Sequence, residues 1–163
     1  MVILGIDPGI ARTGWGIIEV KSSKCKVQSF GCIETSAKRK PEDRLAEIYS
    51  FLCKIIKEHK PEVLAIEELF FNTNAKTALI VGQARGVVLL CGSQNNLLVS
   101  TYTPLQVKIA VTGYGRAEKR QVGQMVKTLL NLKTIPKPDD VTDALAIAIT
   151  HAFSAKTSAF SKG

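Results

Sequence analysis

Four acidic residues stand at positions in the chain where their side chains can meet. Asp7 ends the first apolar run, and Glu67 ends a second one. If these runs are neighbouring parallel strands, Asp7 and Glu67 emerge side by side at one edge of a sheet. Asp140 and Asp143 are three residues apart at the start of a helical pattern, so they share one helix face. A helix packed at that edge therefore completes a cluster of four carboxylates.

Four carboxylates in one place repel each other, which raises their pKa values or drives them apart. Hard divalent cations relieve this repulsion, and a ligand set made only of oxygen suits Mg²⁺ or Mn²⁺. Two such ions roughly 4 Å apart can activate a water and stabilise the leaving oxygen of a phosphodiester. The cluster therefore predicts a nuclease site with two Mg²⁺ ions, for which Mn²⁺ is the alternative.

Each acid also has an ordinary structural interpretation. Asp-Pro-Gly, from Asp7, is a turn sequence in which Asp is favoured at the first position. Asp139 or Asp140 is a good helix N-cap, and Glu67-Glu68 is typical of a solvated strand end. The charge of the whole chain favours the cluster over these structural roles. There are 22 Lys and Arg residues against 14 acids, which gives a net charge of +8. A basic chain favours a polyanionic partner such as nucleic acid.

The apolar patterns predict the elements that would position these acids. Three strands come first, then a helix from Pro41, and two further strands alternate with helices. The strands are predicted at 2–7, 14–20, 25–33, 62–67 and 97–102, and the later helices at 74–91, 104–111, 118–131 and 140–155. Three antiparallel strands followed by two crossover strands make a mixed five-stranded sheet with helices on both faces. This α/β outline matches the ribonuclease H-like fold.

Length and composition predict one domain over residues 1–163, with a flexible tail from about 155. No apolar run approaches the roughly 18 residues that span a bilayer, and the first residues lack the features of a signal peptide. The four cysteines have no CxxC spacing, so we expect core or half-core thiols and not a zinc site. These features predict a cytoplasmic protein.

Four long segments, in order and covering nearly the whole chain, carry a resemblance to a known family. They are LGIDPGIARTGWGII, LAIEELFFNTNAKTALIVGQARGV, TPLQVKIAVTGYGRAEKRQV and DDVTDALAIAITH. They resemble the RuvC family of Holliday-junction resolvases. The resemblance implies a magnesium-dependent endodeoxyribonuclease that nicks four-way DNA junctions as a homodimer, together with the RuvA–RuvB branch-migration complex. It places the family's catalytic and metal-binding acids at Asp7, Glu67, Asp140 and Asp143.

The resemblance also implies particular DNA contacts. Phe70 takes the place of a family aromatic near the unpaired junction centre, where a ring stacks on a base for roughly 1–3 kcal/mol. Core packing is the alternative for Phe70 and for Phe71. Lys108 and Lys119 match family lysines near the scissile phosphate, where a fixed ammonium stabilises developing charge. Without the resemblance, both would be interpreted as solvated lysines.

Three arginines and one histidine have less specific interpretations. We expect Arg116 and Arg120 to touch backbone phosphates without reading sequence. Arg85 either contacts DNA or pairs with an acid inside the protein. His151 lies on roughly the same helix face as Asp143, and a structural role is favoured over support of the acids.

A dimer suits a four-way junction, because two symmetric cuts need two active sites related by the same symmetry. Gly82 and Gly86 are four residues apart on the helix predicted at 74–91. Small residues at that spacing allow close approach, either to the sheet or to a second subunit.

Two other classes of function compete with this one. Asp7-Pro8-Gly9 followed by Thr13-Gly14 is also typical of phosphate loops in actin- and hexokinase-type enzymes, although the chain lacks their second half. The remaining class is a non-catalytic DNA-binding module or a related nuclease with another nucleic-acid substrate.

Overall fold

The computed structural model describes residues 1–22, 24–68 and 75–160, and it describes their side chains except at 75–77 and 156–160. Strands come first along the chain, and helices follow. The strands are β1 (Val2–Asp7), β2 (Arg12–Lys21), β3 (Lys24–Glu34), β4 (Val63–Glu67) and β5 (Leu98–Tyr102). The helices are α1 (Pro41–His59), α2 (Ala75–Gln94), α3 (Pro104–Thr112), α4 (Lys119–Leu129) and α5 (Asp139–Phe160).

The strands form one mixed sheet in the order β3-β2-β1-β4-β5. β1, β2 and β3 pair antiparallel, whereas β4 is parallel to both β1 and β5. Ile6 pairs with Ile66 across β1 and β4, so Asp7 and Glu67 follow at the next position of adjacent strands. The predicted mixed five-stranded sheet and the predicted parallel neighbours are confirmed.

Apolar residues of β1 alternate between two cores, one on each face of the sheet. Ile3 packs in the core that α3, α4 and α5 cover, and Leu4 packs in the core that α1 and α2 cover. Burial on both faces explains why β1 and β4 are continuous apolar runs. Helices therefore cover both faces of the sheet, as predicted.

Local signals set several helix ends. Pro41 begins α1, and the acids Glu42 and Asp43 lie in its first turn, where they complement the helix dipole. Thr103 caps α3 in a capping box with Gln106, and Gly113 ends α3 in the left-handed conformation at φ 74°. α5 continues to Phe160, so the predicted end near residue 155 is five residues short.

α5 lies almost directly on β1 and β2 because glycines face it. A Cβ added at Gly14 would lie 2.0 Å from the carbonyl oxygen of Asp140, and one at Gly5 would lie 2.1 Å from that of Ala144. Any side chain at these positions would push the helix outward. The close approach places the first turns of α5 beside the carboxyl end of β1.

The cysteines occupy core or half-core positions, as predicted. Cys91 is buried, and Cys25, Cys32 and Cys53 are half-buried. The Sγ atoms of Cys53 and Cys91 lie 3.4 Å apart across the contact of α1 with α2. Across the described residues, no helix is long and apolar enough to cross a membrane.

Candidate active site

The fold brings the four predicted acids to one edge of the sheet. Asp7 ends β1 and Glu67 ends β4, while Asp140 and Asp143 lie in the first turns of α5. The pKa of Asp7 is raised from 3.8 to about 7. Burial is the main cause, and the charges of Asp143, Glu67 and Asp140 add to it. The acids therefore lie close enough to act on one another's ionisation.

Two more carboxyls of the cluster have raised pKa values. Burial raises the pKa of Glu67, the charge of Asp143 adds to this, and Lys119 and Lys108 oppose it. Burial also raises the pKa of Asp143, which the hydrogen bond from Lys119 opposes. The surroundings of the cluster therefore disfavour the ionised form of these carboxyls.

Two lysines supply positive charge beside the acids. Lys119, the first residue of α4, places its Nζ atom 2.9 Å from a carboxylate oxygen of Asp143. This contact raises the pKa of Lys119, so its ammonium stays charged. Lys108 on α3 lines the same cleft, which has a volume of about 280 Å³ and is also lined by Glu67, Lys119 and Asp143. A cleft in which lysine ammonium groups lie beside carboxylates suits a phosphate group.

The neighbouring acids Asp139 and Glu68 are more exposed than the four acids of the cluster. Asp139 is exposed and its carboxylate accepts a 2.6 Å hydrogen bond from Lys137, which lowers the pKa of Asp139. Glu68 is exposed at the strand end, and its backbone N–H donates to the carbonyl of Tyr102. Exposure therefore distinguishes Asp139 and Glu68 from Asp140 and Glu67, although Asp139 also lies 3.9 Å from Lys119 Nζ.

Comparison with known proteins decides the family. The model of the crossover junction endodeoxyribonuclease RuvC family matches residues 3–151. The chain belongs to the RuvC family. It is 57% identical over 158 residues to the crossover junction endodeoxyribonuclease RuvC of Caldicellulosiruptor saccharolyticus, covering 96% of this chain and 95% of that one. The RuvC of Alkaliphilus metalliredigens is 56% identical over 154 residues, or 94% of each chain.

Solved structures agree with this membership. Thermus thermophilus RuvC in complex with a Holliday junction substrate matches at a TM-score of 0.92 and 38% identity, covering 97% of this chain and 96% of that one. The yeast mitochondrial resolvase Ydc2 matches at a TM-score of 0.70 and 15% identity, which shows the shared fold alone. The ribonuclease H-like fold predicted for this RuvC-family chain is therefore confirmed.

Arg85 has a role that neither sequence-based alternative predicted. Its Nε atom donates a 3.3 Å hydrogen bond to the backbone carbonyl of Glu67. The partner is thus a main-chain oxygen, not an acidic side chain. Arg85 ties α2 to the end of β4 and so helps to position Glu67.

The loop after Asp7 is braced by residues that the sequence did not single out. Thr35 donates a hydrogen bond from Oγ1 to the carbonyl of Ile10 and one from its backbone N–H to the carbonyl of Ala11. Arg44 donates from Nε to Thr35 Oγ1 at 2.8 Å. These bonds fix the turn that carries the main chain away from Asp7. The sequence carried no signal for this role, because the burial of Thr35 is known only from the structure.

The structure places the other residues singled out from the sequence in different environments. Arg116 and Arg120 are exposed near the start of α4. Phe70 and Phe71 fall outside the described residues. His151 is buried, and its Nδ1 atom lies 2.7 Å from the hydroxyl of Tyr102. This pairing favours the structural role predicted for His151.

The donor set fits a hard divalent cation. All four acids offer oxygen, which Mg²⁺ and Mn²⁺ prefer, and the raised pKa of Asp7 marks charge repulsion that a cation would relieve. Among the described residues, no group of three acidic, histidine or cysteine side chains is arranged to enclose an ion. Lys119 meets Asp143 instead. The residue types therefore suit Mg²⁺ or Mn²⁺, and binding of an ion by Asp143 would require its side chain to leave Lys119.

Proposed function

We propose that this RuvC-family chain resolves four-way DNA junctions by hydrolysing phosphodiester bonds at the acidic cleft. The observation that carries the proposal is the meeting of Asp7, Glu67, Asp140 and Asp143 beside Lys119 in a chain of this family. The Thermus thermophilus relative was solved with a Holliday junction substrate, which supports the same substrate here. Hydrolysis would leave a 5′-phosphate and a 3′-hydroxyl.

The proposed cofactor is Mg²⁺, two ions per site, with Mn²⁺ as the alternative. Asp7, Glu67, Asp140 and Asp143 are the residues that would hold it. When bound, these ions polarise a phosphate oxygen and lower the pKa of coordinated water. The all-oxygen donor set supports this assignment.

The protein's own cations are proposed to position the phosphate and stabilise its charge. Lys108 and Lys119 line the cleft with Glu67, so their ammonium groups face any phosphate that enters it. Their positions are fixed by helices α3 and α4 before the substrate arrives, which is the condition for effective electrostatic stabilisation. Arg85 and the Thr35 bonds keep the ends of β4 and β1 in place while charge develops.

DNA outside the cleft is proposed to contact the start of α4. Arg116 is exposed, so it is free to meet backbone phosphates without reading bases. The ring of Phe70 is proposed to stack on a base at the junction centre, since it follows Glu67 by three residues. These contacts would position the junction over the cleft.

A homodimer is proposed, because two symmetric cuts require two sites. The exposed face of α2 supports it: Leu79 is 67% exposed and Leu90 is 53% exposed on the same helix stripe as Gly86. A Cβ added at Gly86 would meet no atom within 4 Å, so this glycine makes no close approach to the sheet. Of the two sequence-based alternatives, a second subunit is the one that Gly86 supports. RuvA–RuvB is proposed as partner from the family resemblance, and the cytoplasm is proposed as compartment from the sequence features.

The experiment that tests the function compares substrates under matched conditions. The purified protein is incubated with Mg²⁺ and a labelled mobile four-way junction, a linear duplex of the same sequence, or an RNA–DNA hybrid. Paired symmetric nicks in the junction alone are expected, and Asp7→Asn should abolish cutting while junction binding persists. Cleavage of the hybrid or the duplex at a similar rate would assign a different nuclease substrate.

A further inference from the structure

We propose that a groove between the α3–α4 turn and α4 binds a nucleobase of the DNA beside the cut, and so contributes to sequence preference. The inference deepens the proposed junction cleavage and rests on it. The groove has a volume of about 550 Å³. The side chains that carry the argument are Tyr114, Glu118, Arg120, Gln121 and Gln124, all of which line it.

The groove adjoins the catalytic cleft across one turn of helix. Lys119 reaches Asp143 in the cleft, whereas the next residue, Arg120, lines the groove. Successive residues of a helix are about 100° apart around its axis, so the two side chains face different sides of α4. A DNA strand whose scissile phosphate lies at Lys119 therefore has a neighbouring nucleotide beside the groove.

Tyr114 presents an aromatic ring on a rigid turn. Its side chain is 56% exposed, and none of the described residues bonds to its hydroxyl. The turn is fixed because Thr112 Oγ1 accepts the backbone N–H of Tyr114 and donates to its carbonyl. Gly115 packs so closely on α3 that an added Cβ would lie 2.6 Å from Leu105 Cδ1. An exposed ring held in this way is suited to stacking on a base.

The polar lining suits the edge of a base. Gln121 Oε1 accepts the backbone N–H of Glu118 at 2.7 Å, which leaves the amide N–H groups of Gln121 as donors. Gln124 and Arg120 are exposed and their side chains have no bonding partner among the described residues. Arginine and glutamine are the side chains that recognise guanine and adenine through paired hydrogen bonds.

Glu118 argues for a base over a phosphate in this groove. Glu118 lines the wall of the groove and carries a carboxylate. A second anion beside it would be repelled, whereas a base is neutral and can donate a hydrogen bond to it. The groove is thus chemically unlike the cleft, in which two lysines face the acids.

The test measures sequence preference and stacking separately. Junctions randomised around the crossover are cut by the unaltered protein, by Tyr114→Ala and by Gln124→Ala, and the cut positions are sequenced. The ratio of best to worst sequences should fall about tenfold in Gln124→Ala, as expected for loss of a hydrogen bond to a base edge. Tyr114→Ala should slow the cutting of every sequence, because stacking on an aromatic ring does not distinguish bases. Tyr114→Phe should keep the rate, and Lys127→Ala, on the same helix outside the groove lining, is the matched control.

A binding measurement without metal complements the sequencing. A 2-aminopurine base placed next to the cut should be quenched on binding of the unaltered protein and of Tyr114→Phe, but not of Tyr114→Ala. An unchanged sequence ratio in Gln124→Ala would overturn the inference, and so would unchanged quenching of 2-aminopurine in Tyr114→Ala. So would junction cutting by the unaltered protein without any preference. If that protein cuts no junction, the proposed function itself fails, and the inference with it.

Discussion

The Nζ atom of Lys119 lies 2.9 Å from a carboxylate oxygen of Asp143, in the cleft that Glu67 and Lys108 also line. A divalent cation bound by Asp143 would compete with this ion pair for the same oxygens. Release of Lys119 would leave its ammonium free beside the cleft, where the phosphate must lie. In the proposed mechanism the same lysine would partly neutralise the acids before an ion binds and would face the phosphate afterwards.

Replacing Lys119 should slow cleavage strongly. In Lys119→Met the single-turnover rate on a junction should fall by about 100-fold, in the range seen when one donor to a developing charge is removed. Metal-free Asp143 should titrate at still higher pH, because Lys119 is what opposes its raised pKa. Lys127→Met on the same helix is the control and should cut normally. A Lys119→Met protein with normal rates would show that this ammonium does not act on the phosphate.

Metal-free stability should depend on pH through Asp7. Its pKa is raised from 3.8 to about 7, so between these values the folded state holds a proton that the unfolded state has released. The free energy of unfolding should therefore fall as pH rises from about 4 to 7 and level off above. Urea titrations across this range in EDTA measure the slope. Asp7→Asn should flatten it, and saturating Mg²⁺ should do the same, because a bound cation favours the ionised carboxylate. A slope unchanged by Asp7→Asn would contradict this assignment.

Adjacent aspartates should differ in function. Asp140→Asn should abolish cutting and weaken Mg²⁺ binding, because Asp140 lies within the field of Asp7. Asp139→Asn should change the rate less than about threefold, since Asp139 is exposed and pairs with Lys137. Calorimetric Mg²⁺ titration and junction cleavage of the two variants check this. Equal loss in both would mean that the two positions have been assigned wrongly.

An arginine at Gly86 should separate the proposed dimer without harming the fold. A Cβ added at Gly86 meets no atom of the described residues within 4 Å, so we expect the side chain of Gly86→Arg to point outward and to meet a second subunit on α2. Light scattering after size exclusion should give one chain for Gly86→Arg and two for the unaltered protein. Ser50→Arg, on the exposed side of α1, should leave two chains. A dimeric Gly86→Arg protein would place the interface elsewhere.

Alanine should be tolerated unequally at two glycines beneath α5. In Gly14→Ala the new Cβ meets the backbone of Asp140 at 2.0 Å, whereas in Gly16→Ala it meets the flexible end of Leu145 at 2.5 Å. Backbone cannot move aside as a side chain does, so Gly14→Ala should cost about 3 kcal/mol of unfolding free energy and Gly16→Ala about 1 kcal/mol. Urea unfolding of both proteins measures the difference. The reverse order would show that α5 shifts freely on the sheet.

The sequence predicted the sheet well, because its central strands carry a direct signal. β1 and β4 are buried on both faces and are therefore continuous apolar runs, and each ends in an acid. The end of α5 was placed too early, because the Ser- and Lys-containing stretch after residue 154 lacks the apolar spacing that marks a packed helix. The composition of this stretch therefore did not reveal that the helical hydrogen bonds of α5 continue to Phe160.

The clustering of the four acids could be predicted from the sequence, but the contacts that support them could not. Asp7 and Glu67 followed from strand pairing, which pattern alone indicates. The partner of Arg85 is a backbone carbonyl, which no side-chain pattern reveals. The contact of Lys119 with Asp143 joins α4 to α5 and depends on how two helices pack. Tyr114 gave no signal, because its exposure depends on the turn around Gly113 and Gly115.

The glycines beneath α5, Gly5 and Gly14, affect the size of the cation that the acidic cluster could hold. Asp7 belongs to the sheet and Asp143 to the helix, so the separation of the two layers sets the gap between their carboxylates. That separation depends on the missing Cβ atoms at Gly5 and Gly14, which leave the helix backbone almost touching the strands. The radius of a cation that fits between the two acids is therefore determined by residues that never contact it.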